Sequence, residues 1–210
     1  MKKIILFYAL LIASCSFLLA QQTYYSDVNL TLSGLALKDE LAVKVTSTHT
    51  VFLSYAEAYL VIRDTDEDLN NSNNVLLIYN SQSTSKQNDV GGTGTGADVW
   101  NREHVYAQSL GTPDLGTAGP GSDVHHLRAC EQNVNSLRGN QRFDDGTGIY
   151  GNTASGFYPG DEWKGDVARM IMFMYLRYGI QCIPSNVGVG SSAATPDDMI
   201  DLFLDWNAED

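Results

Sequence analysis

Apolar residues recur at intervals of three and four in one long stretch of the chain, which is the spacing of a helix with one buried face. The stripe consists of Trp163, Val167, Met170, Ile171, Met174 and Tyr178. Asp161 and Glu162 precede it, where negative charge suits the positive end of a helix dipole. The pattern predicts a helix from 163 to 178 that packs into the core.

Two other segments carry helical signals. Between positions 51 and 62, apolar residues recur at helical spacing until acidic and Asn-rich sequence begins after Arg63. Further along, Thr195-Pro196-Asp197-Asp198 combines a capping residue, a proline at the first helical position and an acid at the third. We therefore predict one helix over 51–62 and another that begins after Thr195.

The middle of the chain alternates strand signals with loops. Val75–Tyr79 predicts a buried strand, and 100–105 predicts a strand edge beside a cleft. A glycine-rich loop at 111–122 separates this edge from a second strand at 123–128. The pattern gives two strands joined by a long loop, the kind of loop that carries functional residues on a rigid scaffold.

A short helix follows the second strand. Glu131, Asn135 and Arg138 are four and three positions apart, so they share one helix face. Val134 and Leu137 then face the core. The chain has 210 residues, enough for one domain with a real core. We expect an α+β fold in which mixed helices surround a strand–loop–strand–helix unit at about 99–142.

The N-terminus has the features of a secretion signal. Lys2 and Lys3 precede an apolar run over 4–19, and Ala20 offers a cleavage site. The mature protein is then a single domain over 21–210, secreted or periplasmic. An alternative is lipidation at Cys15, whose preceding residues resemble a lipoprotein cleavage box. No other segment has the roughly 18 to 20 apolar residues of a membrane span, so we expect a soluble protein.

The charge of the chain argues against a tight nucleic-acid-binding module. Its formal net charge is −12, whereas proteins that hold nucleic acid tightly have a basic footprint. Arg102, Arg128, Arg138 and Arg142 are nevertheless concentrated in the middle of the chain. A bound divalent cation adds local positive charge. This balance favours transient contact with an anionic substrate.

The acidic run Asp64–Asp68 suggests a calcium-binding loop but does not fit one. The sixth position is Leu69 where the loop needs glycine, and the twelfth is Val75 where it needs glutamate. We expect a solvated acidic loop here. The glycine-rich segment Gly91–Gly96 is not followed by the Gly-Lys-Ser/Thr of a phosphate cradle, so we expect a flexible loop.

The histidines are concentrated in one part of the chain. His104, His125 and His126 fall within 23 positions, which core packing does not explain. Phosphodiester hydrolysis needs a base for the attacking water, a hard divalent cation and a planar cation for the phosphate. Neutral histidine, carboxylate or amide oxygen, and arginine have these properties. Glu103, His104, Asn135 and Arg138 supply them.

Three spaced motifs resemble the endonuclease I family, bacterial periplasmic and secreted nucleases of the ββα-metal (His-Me finger) type. The motifs are Asn101–His104, Asp123–Arg128 and Val134–Asn140. The similarity continues through Lys164–Met170, so it covers most of the mature chain. Members of this family generally run on beyond the segment near Asp205, which suggests that this chain is C-terminally shortened.

The resemblance assigns roles to individual residues. It implies that His104 is the general base and that Glu103 and Asn135 hold one Mg²⁺, with Mn²⁺ or Ca²⁺ as alternatives. It also implies that Arg128 and Arg138 contact phosphate. Glu103 and His104 point to opposite faces of an ideal strand. We therefore expect the strand to end or bend at this position.

Other residues of the motifs are expected to support the site. His125, His126 and Asn140 are candidates for orienting it through hydrogen bonds. A zinc site built from His104, His125 and His126 is an alternative, because imidazoles suit zinc. Cys130 and Cys182 remain in the mature chain, and one disulfide between them is favoured in an oxidising compartment.

The function implied by the resemblance is a secreted, largely non-specific endonuclease. It cleaves DNA and in many members RNA, uses one divalent ion, and binds its nucleic acid substrate transiently. We expect a monomer. Two other hypotheses remain, a zinc-dependent phosphoesterase and a non-catalytic, acidic, calcium-binding surface module. The second of these leaves the histidine cluster unexplained.

Overall fold

A computed structural model describes residues 23–91 and 99–210. The expected secretion signal, Cys15 and most of the segment Gly91–Gly96 lie outside these residues. The chain forms two compact units, one ending at Thr48 and the other running from His49 to Asp210. Within the described ranges, no helix is long and apolar enough to cross a membrane.

The first unit contains helix α1 (Gly34–Thr48). Its contacts are largely polar: Lys44 Nζ lies 2.7 Å from Asp27 Oδ1, and the hydroxyls of Tyr24 and Thr48 are 2.7 Å apart. Val45 is buried within the helix.

The second unit combines helices with small antiparallel sheets and is an α+β structure, as predicted. In chain order its α-helices and strands are α2 (Tyr55–Thr65), β1 (Glu67–Asp68), β2 (Asn71–Leu76), β3 (Ser83–Ser85), β4 (Trp100–His104), β5 (Leu127–Glu131), α3 (Gln132–Arg138), β6 (Gly151–Asn152), β7 (Phe157–Tyr158), α4 (Lys164–Tyr178) and α5 (Asp201–Glu209). The strands pair as sheets β1-β2-β3, β4-β5 and β6-β7. The predicted order of strand, long loop, strand and helix is confirmed in β4, β5 and α3.

Helix α2 begins at a capping box. The Ser54 hydroxyl accepts a hydrogen bond from the Glu57 backbone, and the Glu57 carboxylate accepts one from the Ser54 backbone at 2.8 Å. This reciprocal cap satisfies two backbone donors and sets the start at Tyr55, four residues later than predicted. Ala58 and Ile62 form the buried face.

Strands β4 and β5 separate two apolar clusters. Their pairing is regular, from Trp100 opposite Glu131 to His104 opposite Leu127. Trp100, Leu127 and Ala129 pack with α2 on one face. The opposite face meets the larger core, which includes Cys130. Alternate residues of β4 therefore enter different surroundings.

The larger core lies against α4 and α5. The apolar stripe predicted for 163–178 is confirmed as α4, and Phe203 and Trp206 of α5 pack onto it. Cys130 and Cys182 both lie in this core as free, buried thiols. Cys130 is near Glu103 and Arg138, whereas Cys182 is near Tyr106 and Asp123. The disulfide expected from the sequence is therefore not formed in this structure.

Four local predictions are wrong. The second strand, predicted at 123–128, is β5 at Leu127–Glu131, and residues 123–126 precede it. Helix α5 begins at Asp201, and the Thr195 hydroxyl does not cap a helix but donates to the Met199 backbone oxygen at 2.6 Å. The strand predicted at 75–79 is β2, which ends at Leu76. In α3, Leu137 is 45% exposed, and Arg138 takes the buried position beside Val134.

The acidic run is not a solvated loop. Asp66 is 3% exposed, accepts a hydrogen bond from the Ala129 backbone at 2.6 Å, and lies 3.1 Å from Arg128 Nε. Burial raises the pKa of Asp66 to about 6, although Arg128 acts in the opposite direction. This carboxylate ties the end of α2 to strand β5.

Candidate active site

A cavity of about 300 Å³ opens beside the end of β4. It is lined by Glu103 and His104 of β4 and by Asn135 and Arg138 of α3. Asn140, just after α3, also lines it. The structure thus brings together five of the residues predicted to form the site. Strand β4 ends at His104, which agrees with the expected irregularity and allows neighbouring residues to reach one cavity.

The ring of His104 is held in one orientation. Its Nε2 atom lies 3.0 Å from the backbone oxygen of Gly121, and because a carbonyl can only accept a hydrogen bond, Nε2 carries the proton and donates it in that bond. The Nδ1 atom then carries the free lone pair. Burial lowers the pKa of His104 to about 4, so the ring is neutral at neutral pH. Tyr55 stacks on it at a centroid distance of 5.7 Å. This is the protonation state of a general base.

Gly121 is required by close packing. A Cβ atom at this position would lie 1.9 Å from the backbone oxygen of Gly116. Without a side chain, the 3₁₀ turn over Gly119–Ser122 can bring its carbonyl to the His104 ring.

Glu103 is buried between a phenol and a guanidinium. Its Oε1 atom accepts a hydrogen bond from the Tyr79 hydroxyl at 2.7 Å and lies 3.6 Å from Arg138 Nε. Burial raises the pKa of Glu103, while Arg138 and Tyr79 act in the opposite direction. Tyr79 lies 24 residues before Glu103, and no local pattern in the sequence identified it.

Arg138 is enclosed by protein groups. Its side chain is 1% exposed, and its donors reach the backbone oxygens of His104, Val105 and Gly139 at 2.9 to 3.1 Å. The geometry therefore differs from the phosphate contact expected from the sequence. The guanidinium fixes the backbone that follows β4 and the carboxylate of Glu103.

Asn135 lines the cavity, and its amide nitrogen is occupied by hydrogen bonds. Its amide nitrogen donates to Asn101 Oδ1 at 2.7 Å and to the Arg102 backbone oxygen at 3.1 Å. This arrangement leaves the amide oxygen as the atom that can bind a cation. Glu103 supplies a carboxylate to the same cavity. Such hard oxygen donors suit Mg²⁺, Mn²⁺ or Ca²⁺, so the residues present fit a divalent ion.

The three remaining predicted residues lie outside this cavity. Arg128 pairs with Asp66, as described above. His125 stacks on Phe173 at 3.9 Å, and its Nδ1 atom lies 2.8 Å from Asp123. His126 is fully buried behind His104, with ring centroids 5.5 Å apart.

His126 has the contacts of a supporting residue. Its Nε2 atom lies 2.8 Å from the Pro120 backbone oxygen, and its Nδ1 atom accepts from the Tyr106 backbone at 3.4 Å. Burial lowers its pKa to about 3, so a neutral ring joins the loop to β4. The zinc alternative gains no support from this arrangement. Among residues 23–91 and 99–210, no three His, Cys, Asp or Glu side chains are grouped to hold a metal ion.

Two charged residues that line the cavity were not predicted as part of the site. Asp114 comes from the loop between β4 and β5, and Arg102 precedes Glu103 on β4. Arg102 belongs to the Asn101–His104 motif and to the concentration of arginines in the middle of the chain, but neither signal assigned it a role in the site. Asp114 lies in a glycine-rich loop whose path the local pattern does not define.

Comparisons with known proteins give one consistent picture. The family profile described as Endonuclease I matches residues 33–210. An extracellular ribonuclease of Bacillus amyloliquefaciens is 40% identical over 200 residues, and one of Bacillus subtilis (strain 168) is 41% identical over 199 residues. Each alignment covers 90% of this chain and 66% of the relative, so the chain spans just under two thirds of the relatives' length. No solved structure matches the chain significantly.

Proposed function

Because this chain belongs to the endonuclease I family, we propose that it is a secreted nuclease that hydrolyses phosphodiester bonds with RNA among its substrates. The names of the two extracellular ribonucleases support both RNA cleavage and secretion. Cleavage of DNA, expected from the resemblance, is part of the same proposal. Nucleases of this family generally use a divalent metal ion, and we propose Mg²⁺ at Glu103 and Asn135.

The observation that carries the proposal is the orientation of His104. Its Nε2–H group donates a hydrogen bond to the Gly121 carbonyl, which leaves Nδ1 unprotonated, and Glu103 and Asn135 line the same cavity as His104. In this state His104 takes a proton from a water molecule as that water attacks the phosphorus. Burial keeps the ring unprotonated over the neutral pH range.

The surrounding residues hold this geometry. Arg138 fixes the His104 backbone and the Glu103 carboxylate, and Tyr79 orients the same carboxylate. Asn101 and Arg102 orient the amide of Asn135. When bound, a divalent cation supplies positive charge that stabilises the phosphoryl oxygens and the leaving alkoxide.

The test is a cleavage assay on the protein lacking residues 1–20, with single-stranded RNA and supercoiled plasmid as substrates. We expect Mg²⁺-dependent cleavage that chelator abolishes and that falls at least about a hundredfold in His104→Ala. His125→Ala is the matched control, since His125 lies outside the cavity and is stacked on Phe173.

The variants separate the mechanism from the function. Loss of cleavage in His104→Ala together with full cleavage in His125→Ala supports the assignment of the base. Unchanged cleavage in His104→Ala would exclude it while leaving the nuclease function intact. A folded protein that cleaves neither substrate with Mg²⁺, Mn²⁺ or Ca²⁺ would refute the proposed function. Activity restored only by Zn²⁺ would favour the phosphoesterase.

A further inference from the structure

Four planar side chains form a column that extends from His104 across the face of β4. The Tyr55 ring stacks on His104. The Arg102 guanidinium lies 3.4 Å from the centre of the Tyr55 ring and 3.9 Å from that of Tyr59. The column therefore begins at His104 in the candidate active site and ends in two tyrosines with an arginine between them.

The column follows from the spacing of its residues on helix α2 and strand β4. Tyr55 and Tyr59 are four residues apart on α2, so they share one helix face. Arg102 and His104 are two residues apart on β4, so they share one strand face. The stacking of α2 on β4 interleaves the two pairs. The Arg102 guanidinium is further fixed by donating to the Tyr55 backbone oxygen.

A second cavity, of about 380 Å³, lies along this column. Tyr55, Tyr59 and Arg102 form part of its wall, together with Arg63 and Asp89. The last two are paired with each other. Arg102 lines both this cavity and the one that contains His104. Both tyrosines remain partly exposed. The two cavities therefore adjoin at Arg102.

The chemistry of the second cavity suits a nucleotide. Aromatic side chains stack with nucleobases of any sequence, and arginine contributes through its planar charge. The chain carries a formal net charge of −12, so general electrostatic attraction does not favour a polyanion. Stacking gives affinity that does not depend on net charge. It requires an unpaired base, because bases in a duplex have their faces covered.

We propose that Tyr55, Tyr59 and Arg102 form a subsite for the nucleotide next to the scissile phosphodiester of single-stranded RNA. The base lies against Tyr59, which stands at the end of the column away from His104, and its phosphate lies towards Arg102. Tyr55, which contacts both His104 and Arg102, holds that guanidinium in place. This inference rests on the proposed nuclease function and specifies its substrate as single-stranded. Tyr59 is the residue to test, since it belongs to the column without touching His104.

The experiment uses end-labelled single-stranded RNA of about 12 nucleotides with one abasic residue in the middle. Cleavage at every linkage is compared with that of the same RNA carrying all its bases. In the wild-type protein we expect cleavage to fall about tenfold at one linkage, at a fixed distance from the abasic residue. In Tyr59→Ala this local decrease disappears, because the subsite no longer distinguishes a base from its absence.

Two variants control for folding. Tyr59→Phe keeps the ring and should keep the local decrease. Leu60→Ala truncates the next side chain, which is 60% exposed, and should also keep it. Thermal melting of each variant is recorded, since Tyr59 also packs near Trp100. The decrease at one linkage is measured relative to the other linkages of the same RNA, so a general loss of activity does not imitate the result.

The outcomes separate the two proposals. A local decrease that persists in Tyr59→Ala, or is missing in the wild type, overturns the subsite. If the wild type does not cleave the intact RNA, the proposed function fails, and binding in chelator decides about the subsite. Fluorescence anisotropy should then show about tenfold weaker binding of the intact RNA to Tyr59→Ala than to the wild type. Equal binding would overturn the subsite.

Discussion

The Nε atom of Arg138 lies 3.6 Å from the Oε1 atom of Glu103, and the two side chains are 1% and 2% exposed. Removing one partner of a buried ion pair leaves the other charge without compensation. Arg138→Ala should therefore lower the free energy of unfolding by about 3 to 5 kcal/mol in chemical denaturation. An arginine that serves mainly to bind phosphate would instead raise KM and leave stability unchanged.

Arg169→Ala is the control for this prediction. Arg169 is 45% exposed and forms surface ion pairs with Asp166 and Asp210. Such pairs contribute less than about 1 kcal/mol. Similar losses of stability in the two variants would contradict the role of Arg138 as a buried partner that stabilises the fold.

The Gly121 carbonyl gives a second prediction, about kinetics. In Gly121→Ala the new Cβ atom would lie 1.9 Å from the Gly116 backbone oxygen, so the carbonyl that accepts from His104 must move. A displacement near 1 Å at a catalytic group costs about a hundredfold in rate. We expect kcat to fall by about that factor in steady-state RNA cleavage. Gly151→Ala, where no atom lies within 4 Å of the added Cβ, should retain wild-type kcat.

The burial of Asp66 predicts a pH dependence of stability. Burial raises the pKa of Asp66 from 3.8 in the unfolded chain to about 6 in the folded protein. The folded state therefore binds the Asp66 proton more tightly than the unfolded chain does. The stability that this proton contributes is fully present below about pH 4 and is lost as the pH rises through about 6. A shift of this size corresponds to a contribution on the order of 3 kcal/mol.

The measurement is urea denaturation of the wild type and Asp66→Asn between about pH 4 and 7. The difference between their unfolding free energies should change across this range, with the wild type gaining relative stability at the acidic end. A constant difference would show that Asp66 does not titrate in the folded protein in this window.

The contrast between α4 and Asp66 shows what a local pattern can predict. The stripe from Trp163 to Tyr178 predicted α4 to within one residue, because helix periodicity and burial are both local properties. Asp66 and Ala129 are 63 positions apart, and only the stacking of α2 on β5 makes that carboxylate a buried partner. The acidic pattern of Asp64–Asp68 predicted solvent exposure, whereas tertiary contacts bury Asp66.

The candidate site divides in the same way. Glu103, His104 and Asn135 were assigned from short motifs, and the structure places them around one cavity. The contribution of Tyr79 depends on a contact across 24 residues, which no motif encodes. Arg138 is buried in α3 where Leu137 was predicted to be, and this error also comes from contacts that are distant in the sequence. The backbone oxygens after β4 satisfy the guanidinium there, and periodicity alone cannot anticipate them.

The free thiols in the core give a prediction about redox state. Cys130 and Cys182 are buried free thiols, so neither should react with a thiol reagent in the folded protein lacking residues 1–20. In denaturant without reductant, both thiols should become reactive. Reduction before denaturation should leave this result unchanged. Absence of reactive thiols in denaturant until reductant is added would indicate that the disulfide forms in the secreted protein.

The proposed metal ligand Asn135 makes the last prediction, about Mg²⁺ dependence. Its amide nitrogen is held by Asn101 and the Arg102 backbone, so its oxygen is positioned before any cation binds. Asn135→Ala removes that oxygen and should raise the Mg²⁺ concentration for half-maximal cleavage at least about tenfold. Asn135→Asp restores an oxygen but loses both hydrogen bonds, so we expect an intermediate value.

Asn133 provides a matched control on the same helix. It is exposed and donates to Glu131, away from the residues that line the cavity. Asn133→Ala should therefore have the Mg²⁺ dependence of the wild type. A shift in Asn133→Ala as large as that in Asn135→Ala would attribute the effect to the stability of α3. A shift confined to Asn140→Ala would transfer the ligand role to Asn140, which also lines the cavity. Calorimetric titration of Mg²⁺ without substrate gives the same comparison independently of catalysis, since loss of a ligand weakens binding whether or not RNA is present.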